Sequence, residues 1–131
     1  MLRAMSRFLG DEAYVSLASF RRDGREVRTA VWIARDGDDL VVYTNGRSGK
    51  VKRIRRDGRV RLAACDARGG LRGEWSEGRA RLRDDAAARD RGLAAIRRKY
   101  GWQAGLVLWG ARLFGRYPQR AVIEIRLASA G

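Results

Sequence analysis

The sequence contains no histidine. That removes the side chain most often used as a general base near neutral pH, as an activator of nucleophiles and as a zinc ligand. Triad hydrolysis in its common form and histidine–zinc chemistry are therefore excluded. The lone cysteine, Cys65, rules out an intrachain disulfide and any cysteine cluster for a metal. It reads as a small thiol packed quietly in a strand. No apolar run approaches the roughly 18 residues that a membrane-spanning helix needs. The opening, Met1 to Asp11, lacks the apolar stretch of a secretion signal, so a soluble, cytoplasmic protein is expected. Lysine is scarce too: only Lys50, Lys52 and Lys99 are lysines among 29 basic residues, an arginine bias that fits a GC-rich genome.

What remains is a chain of 131 residues, the size of one domain over 1–131, with 45% apolar residues to build a core. Against 15 acidic residues the basic excess leaves a net charge of +14. A partner with several negative charges follows: nucleic acid, a membrane surface or a polyanionic cofactor. Nucleic acid is the weakest of these, because the basic residues are dispersed and no helix-turn-helix, zinc or aromatic–basic RNA motif is present. No residue stands out as an acid or base; Tyr14, Tyr43 and Tyr117 are the candidate proton donors, and tyrosines more often fill cores. If the protein is an enzyme, a bound cofactor carries the difficult chemistry.

Hydrophobic periodicity sets out the elements. A short amphipathic helix is expected over residues 3–10, then a β-rich run from Tyr14 to Phe20 and a hairpin turn at Asp23-Gly24. Val27, Thr29, Val31 and Ile33 alternate with Arg28, Ala30, Trp32 and Ala34, one strand of period two. Leu40–Tyr43, Val60 to Cys65, Glu74 to Arg83 and Ala121 to Leu127 are four more strands. Between them, Ser48 caps a basic helix to about Arg56, and Asp84-Asp85 caps another with Leu93, Ile96 and Tyr100 on its inner face. Trp102, Leu106, Trp109 and Leu113 mark a further amphipathic helix. Six strands with interspersed helices make a small α+β barrel.

The segment Tyr43-Thr44-Asn45-Gly46-Arg47-Ser48-Gly49-Lys50-Val51-Lys52-Arg53 carries the functional signal. A strand ends in a turn and a helix begins, and helix N-termini attract anions through free N–H groups and the helix dipole. Lys50 and Arg53, three apart, fall on one helical face and could clamp one phosphate. A solvated basic helix is the plain alternative on the physics alone.

Those residues, together with Tyr14–Phe20, Asp23-Gly24, Thr29-Ala30-Val31-Trp32, Val60–Asp66 and Arg98–Gly101, resemble the pyridoxamine 5'-phosphate oxidase-like superfamily, and its F420-dependent oxidoreductase branch most closely. The resemblance runs over about residues 10–127 and rests on order and spacing together. It implies a six-stranded antiparallel split β-barrel, the FMN-binding split barrel, with flanking helices, forming a homodimer with cofactor grooves at the subunit interface. It also implies that Thr44, Ser48, Gly49, Lys50 and Arg53 hold the cofactor phosphate while Thr29, Ala30, Val31 and Trp32 run beside the ring. The flavin-oxidase branch has Ser-Arg-Lys where this chain has Ser48-Gly49-Lys50, and a lysine near Ile33-Ala34. Both departures favour coenzyme F420 over FMN, as does the charge. The implied activity is hydride transfer between F420 and an electron-poor substrate; the alternatives are an FMN oxidase or reductase, or a carrier that binds cofactor without catalysis.

Overall fold

The computed structural model describes residues 9–46, 48–101 and 120–128. The helix expected over 3–10 falls mostly outside them, with Leu9–Asp11 helical, and the amphipathic helix expected on Trp102, Leu106, Trp109 and Leu113 lies outside them altogether. The described elements are β1 (Tyr14–Phe20), β2 (Glu26–Val31), β3 (Ile33–Asp36), β4 (Asp39–Asn45), α1 (Gly49–Arg56), β5 (Arg59–Cys65), β6 (Ser76–Leu82), α2 (Ala86–Tyr100) and β7 (Arg120–Leu127). Among them, no helix is long and apolar enough to cross a membrane.

The strands form one sheet in the order β2-β1-β5-β6-β7-β4-β3, every named pairing antiparallel. β2 and β3 lie at opposite ends of that order, yet only Trp32 separates them in the chain. One extended segment thus leaves one edge of the sheet and joins the other, which curls the sheet into a half-barrel. Here the expectation of six strands is corrected to seven. The run read as one strand over 27–34 changes partner at Trp32, from β1 to β4. Its alternation continues through the change: Val31 and Ile33 point into the barrel, while Trp32 and Ala34 lie outside, beneath α2.

Two cores result. Inside the barrel, Val15, Leu17, Leu40, Val42, Val60, Leu62, Ile123 and Ile125 are at most 1% exposed. Burying each such side chain contributes about 1.5–3 kcal/mol. Outside, Leu93, Ala95 and Ile96 of α2 pack on Ala34, Val41 and Val122, as the helical spacing required. Asp85 caps α2 by accepting from the Ala87 and Ala88 N–H groups, and Gly101 ends it at φ 58°. Tyr100 lies flat on Trp32, ring centroids 4.3 Å apart, and its hydroxyl accepts from the Ile33 N–H at 3.0 Å. Lys99 donates to the carbonyls of Gly10, Glu12 and Ile33. The last turn of α2 therefore fastens the segment where the barrel changes sheet edge.

Candidate functional site

α1 closes one end of the barrel. Its apolar residues, Val51 and Ile54, fall three apart and are each 3% exposed, with Ile54 inside the barrel core. The remaining positions are basic apart from Gly49, so the helix keeps one apolar face and one cationic face. Ser48 caps it, its Oγ accepting from the Val51 N–H at 3.4 Å. No acidic residue occupies the first turn to neutralise the positive end of the helix.

The two cations singled out in the sequence reach different strands. Lys50 Nζ donates to Thr44 Oγ1 at 3.1 Å, and Thr44 is buried at the end of β4. Arg53 Nε donates to Ser19 Oγ at 2.7 Å, near the end of β1. Both side chains are partly buried rather than fully solvated. Burial lowers the pKa of Lys50, and the charge of Arg53 lowers it further. Burial and then Arg21 act on Arg53 in the same direction. Each of these groups would be stabilised by an anion.

The β2 residues divide by face. Thr29 lies opposite Leu17 in the β1–β2 ladder and so points to the barrel side, like Ser19 and Val31. Thr44 shares that side with Val42 and Leu40. β2 and β4 approach one another, bringing the Thr29 and Thr44 strands to one side of the half-barrel. The Thr29 Oγ1 is buried without a hydrogen-bond partner in the structure, a costly arrangement that a polar ligand would relieve. Ala30 is exposed on the outer face, Val31 belongs to the core, and the Trp32 ring is engaged by Tyr100. Toward a ligand these three residues offer chiefly the backbone of an edge strand rather than side chains.

The remaining charge is organised in a way no linear reading shows. Arg83, its side chain 4% exposed, donates to Asp36 and to the Ala88 carbonyl, and Arg81, Arg91 and Arg126 also pair with Asp36, Asp39 or Glu124. Around α1 the pattern reverses. Among the described residues, Arg21, Arg22, Lys50, Lys52, Arg53 and Arg56 have no carboxylate within salt-bridge distance. Five of them, all but Lys50, line an open cavity of about 550 Å³ between α1 and the β1–β2 hairpin. The hairpin is held by Gly24 at φ 88° and by the Arg21 N–H donating to the Arg25 carbonyl at 2.8 Å. Within the cavity Asp23 is taken by Arg25 at 2.8 Å.

Ser48, Lys50 and Thr44 gather at the start of α1, while Arg53 turns to Ser19 and to the cavity that Lys50 does not line; together they offer a phosphate-bearing group a capped helix N-terminus, two partly buried cations and hydroxyls. Gly49 sits exposed at the centre of the arrangement. Sequence reasoning missed Ser19, which lies 34 residues from Arg53 and reads locally as a core-strand serine. It also missed Arg56, whose guanidinium donates to the Phe20 carbonyl at 2.7 Å, and the hairpin arginines Arg21 and Arg22. The Arg-Arg doublet before Asp23-Gly24 was the available signal, but nothing local places a hairpin tip against a helix. Among the described residues, no group of His, Cys, Asp and Glu could hold a metal ion.

Comparison with known proteins identifies the framework. The family model described as pyridoxamine 5'-phosphate oxidase matches residues 1–130. No curated protein matches the sequence. Among solved structures, a conserved hypothetical protein from Mycobacterium tuberculosis is 22% identical with a TM-score of 0.70, over 96% of this chain and 79% of that one. An F420 reductase is 19% identical with a TM-score of 0.59, over 94% of this chain and 93% of that one. HutZ, described as the heme storage protein of Vibrio cholerae, is 10% identical with a TM-score of 0.67, over 97% of this chain and 89% of that one. At these identities the likeness is one of fold.

Proposed function

The chain belongs to the pyridoxamine 5'-phosphate oxidase family, and from that premise we propose that it binds the deazaflavin F420 at the α1 end of the barrel and transfers hydride with it. The observation that carries this reading is the desolvated cation pair Lys50 and Arg53, bonded to Thr44 and Ser19 beside the Ser48 cap, with no carboxylate partner among the described residues. In this reading Ser48, Gly49, Lys50, Arg53 and Thr44 hold the phosphodiester. The backbone of Thr29, Ala30, Val31 and Trp32 flanks the ring along the edge of β2, and the Thr29 hydroxyl gains the partner it lacks. When bound, the deazaflavin supplies the hydride chemistry. This chain's residues orient it and exclude water on the barrel side. Tyr100 is not free to act as a proton donor, since its hydroxyl also donates to the Ala13 carbonyl at 2.7 Å. A homodimer completing the groove belongs to the same proposal, and FMN is the alternative cofactor.

A haem-binding function is not favoured. Of the side chains that hold haem iron, histidine is absent from this chain and its one cysteine, Cys65, is buried in β5 with its pKa raised by that burial, which leaves only methionine and tyrosine. The test is a titration of the purified protein with F420, FMN and haem, followed by absorbance and fluorescence. F420 should bind at least tenfold more tightly than FMN, a difference of about 1.4 kcal/mol. FMN binding as tight as F420 would overturn the choice of cofactor, and a preference for haem would overturn the reading.

A further inference from the structure

Gly49 is exposed, at the first position of α1, and no helical rule asks for glycine there. The space it leaves is nevertheless occupied. A Cβ built on Gly49 would sit 2.7 Å from Arg53 Nη1, far inside contact distance, with Cζ at 3.5 Å and Nη2 at 3.7 Å. The whole guanidinium therefore lies over Gly49. Helical side chains lean toward the N-terminus, so a long residue at i+4 reaches back over residue i. Arg53 does so with its Nε held by Ser19.

We propose that Gly49 is the residue that sets the anion-binding geometry of this site. By carrying no side chain, it lets Arg53 fold over the first turn of α1 and point its two terminal nitrogens into the cationic cavity. With Nε engaged by Ser19, those nitrogens form an end-on fork suited to two oxygens of a phosphoryl or carboxylate group. The positive N-terminal end of α1 lies beside it at Gly49. A side chain at position 49 would separate the guanidinium from the helix end and divide one site into two weaker halves. This inference rests on the reading of the α1 end as the cofactor phosphate site, and Gly49 acts through Arg53 as a positioning residue.

The experiment is a double-mutant cycle of G49A and R53A on the full chain, read by affinity for F420, for FMN and for inorganic phosphate, beside the thermal midpoint. G49A should weaken F420 binding by about tenfold or more while the midpoint moves little, since the helix propensity gained by alanine offsets the loosened bond to the buried Ser19 hydroxyl. In the R53A background the same substitution should have no further effect, because the group it displaces is gone. Equal and additive losses, or an unchanged affinity in G49A, would overturn the proposal. A ligand-free readout keeps it separable from the cofactor reading: the Arg53 Nε–H resonance should exchange faster with solvent in G49A than in the wild type. If the wild type binds none of the three probes but this exchange rises, the cofactor reading fails and the packing of Arg53 on Gly49 stands. If the exchange is unchanged, the role of Gly49 fails whatever the ligand.

Discussion

Lys50 shows why composition alone misleads. In the sequence it is one of 29 basic residues on a chain rich in arginine. In the fold it is a desolvated ammonium bonded to a buried threonine and crowded by Arg53. Lys50→Ala should therefore cost about 1.5–3 kcal/mol of cofactor affinity. The same change should leave the denaturation midpoint level or raise it, because it removes a burial penalty and a repulsion. Tyr100 offers a residue-scale test by pH. Burial raises its hydroxyl to about 12 from an ordinary 10.0. Between these values the unfolded chain loses the proton before the folded one does, so stability falls as pH rises from about 10 to about 12. Tyr100→Phe lacks that group, and the stability difference between wild type and variant should shrink across this window in urea denaturation at fixed salt. A constant difference would show that the hydroxyl does not titrate as its burial requires. The position of Ser19 under Arg53 was not legible in the sequence, because a strand residue and a helix residue 34 apart are joined only by tertiary packing.

Among the elements, those with strict periodicity were readable. β5 and α2 carry their apolar residues at the expected spacings, β1 was legible as a compact β-rich run, and the Asp85 cap and Gly101 stop are local signals. The division of 27–34 into β2 and β3 was not readable, since alternation is indifferent to which neighbour supplies the hydrogen bonds. What changes at Trp32 is the partner, fixed by Tyr100 and Lys99 at the far end of α2. The ends of β3, β4 and β6 and the middle of β7 are joined to α2 through the buried Arg83. Arg83→Ala should leave Asp36 and Glu124 inadequately compensated and cost about 3–5 kcal/mol, as is typical of breaking a buried pair. The exposed ion pair Arg55–Asp84 is the comparison, and Arg55→Ala should cost less than about 1 kcal/mol. Similar losses in the two variants, measured by chemical denaturation, would mean that Arg83 is not the tie among these elements.

For the whole molecule, the charge of +14 acquires a location. The arginines at the Asp36–Asp39–Glu124 cluster are compensated, while among the described residues Arg21, Arg22, Arg53 and Arg56 around the cavity between α1 and the β1–β2 hairpin have no carboxylate within salt-bridge distance. Arg22 lines that cavity, so it is a poor control for binding, and Arg89 on α2, which does not line it, is a better one. If two subunits complete each groove, the protein should elute near twice its 14.7 kDa mass at micromolar concentration. A monomer that still binds cofactor would remove the shared groove. In the proposed function one built site, rather than bulk positive charge, holds the phosphate of the cofactor. The most direct test of this is the F420 dissociation constant of the wild type, Lys50→Ala and Arg89→Ala at one fixed ionic strength. Lys50→Ala should lose about 10- to 150-fold and Arg89→Ala less than about threefold. Equal losses in the two variants would contradict it.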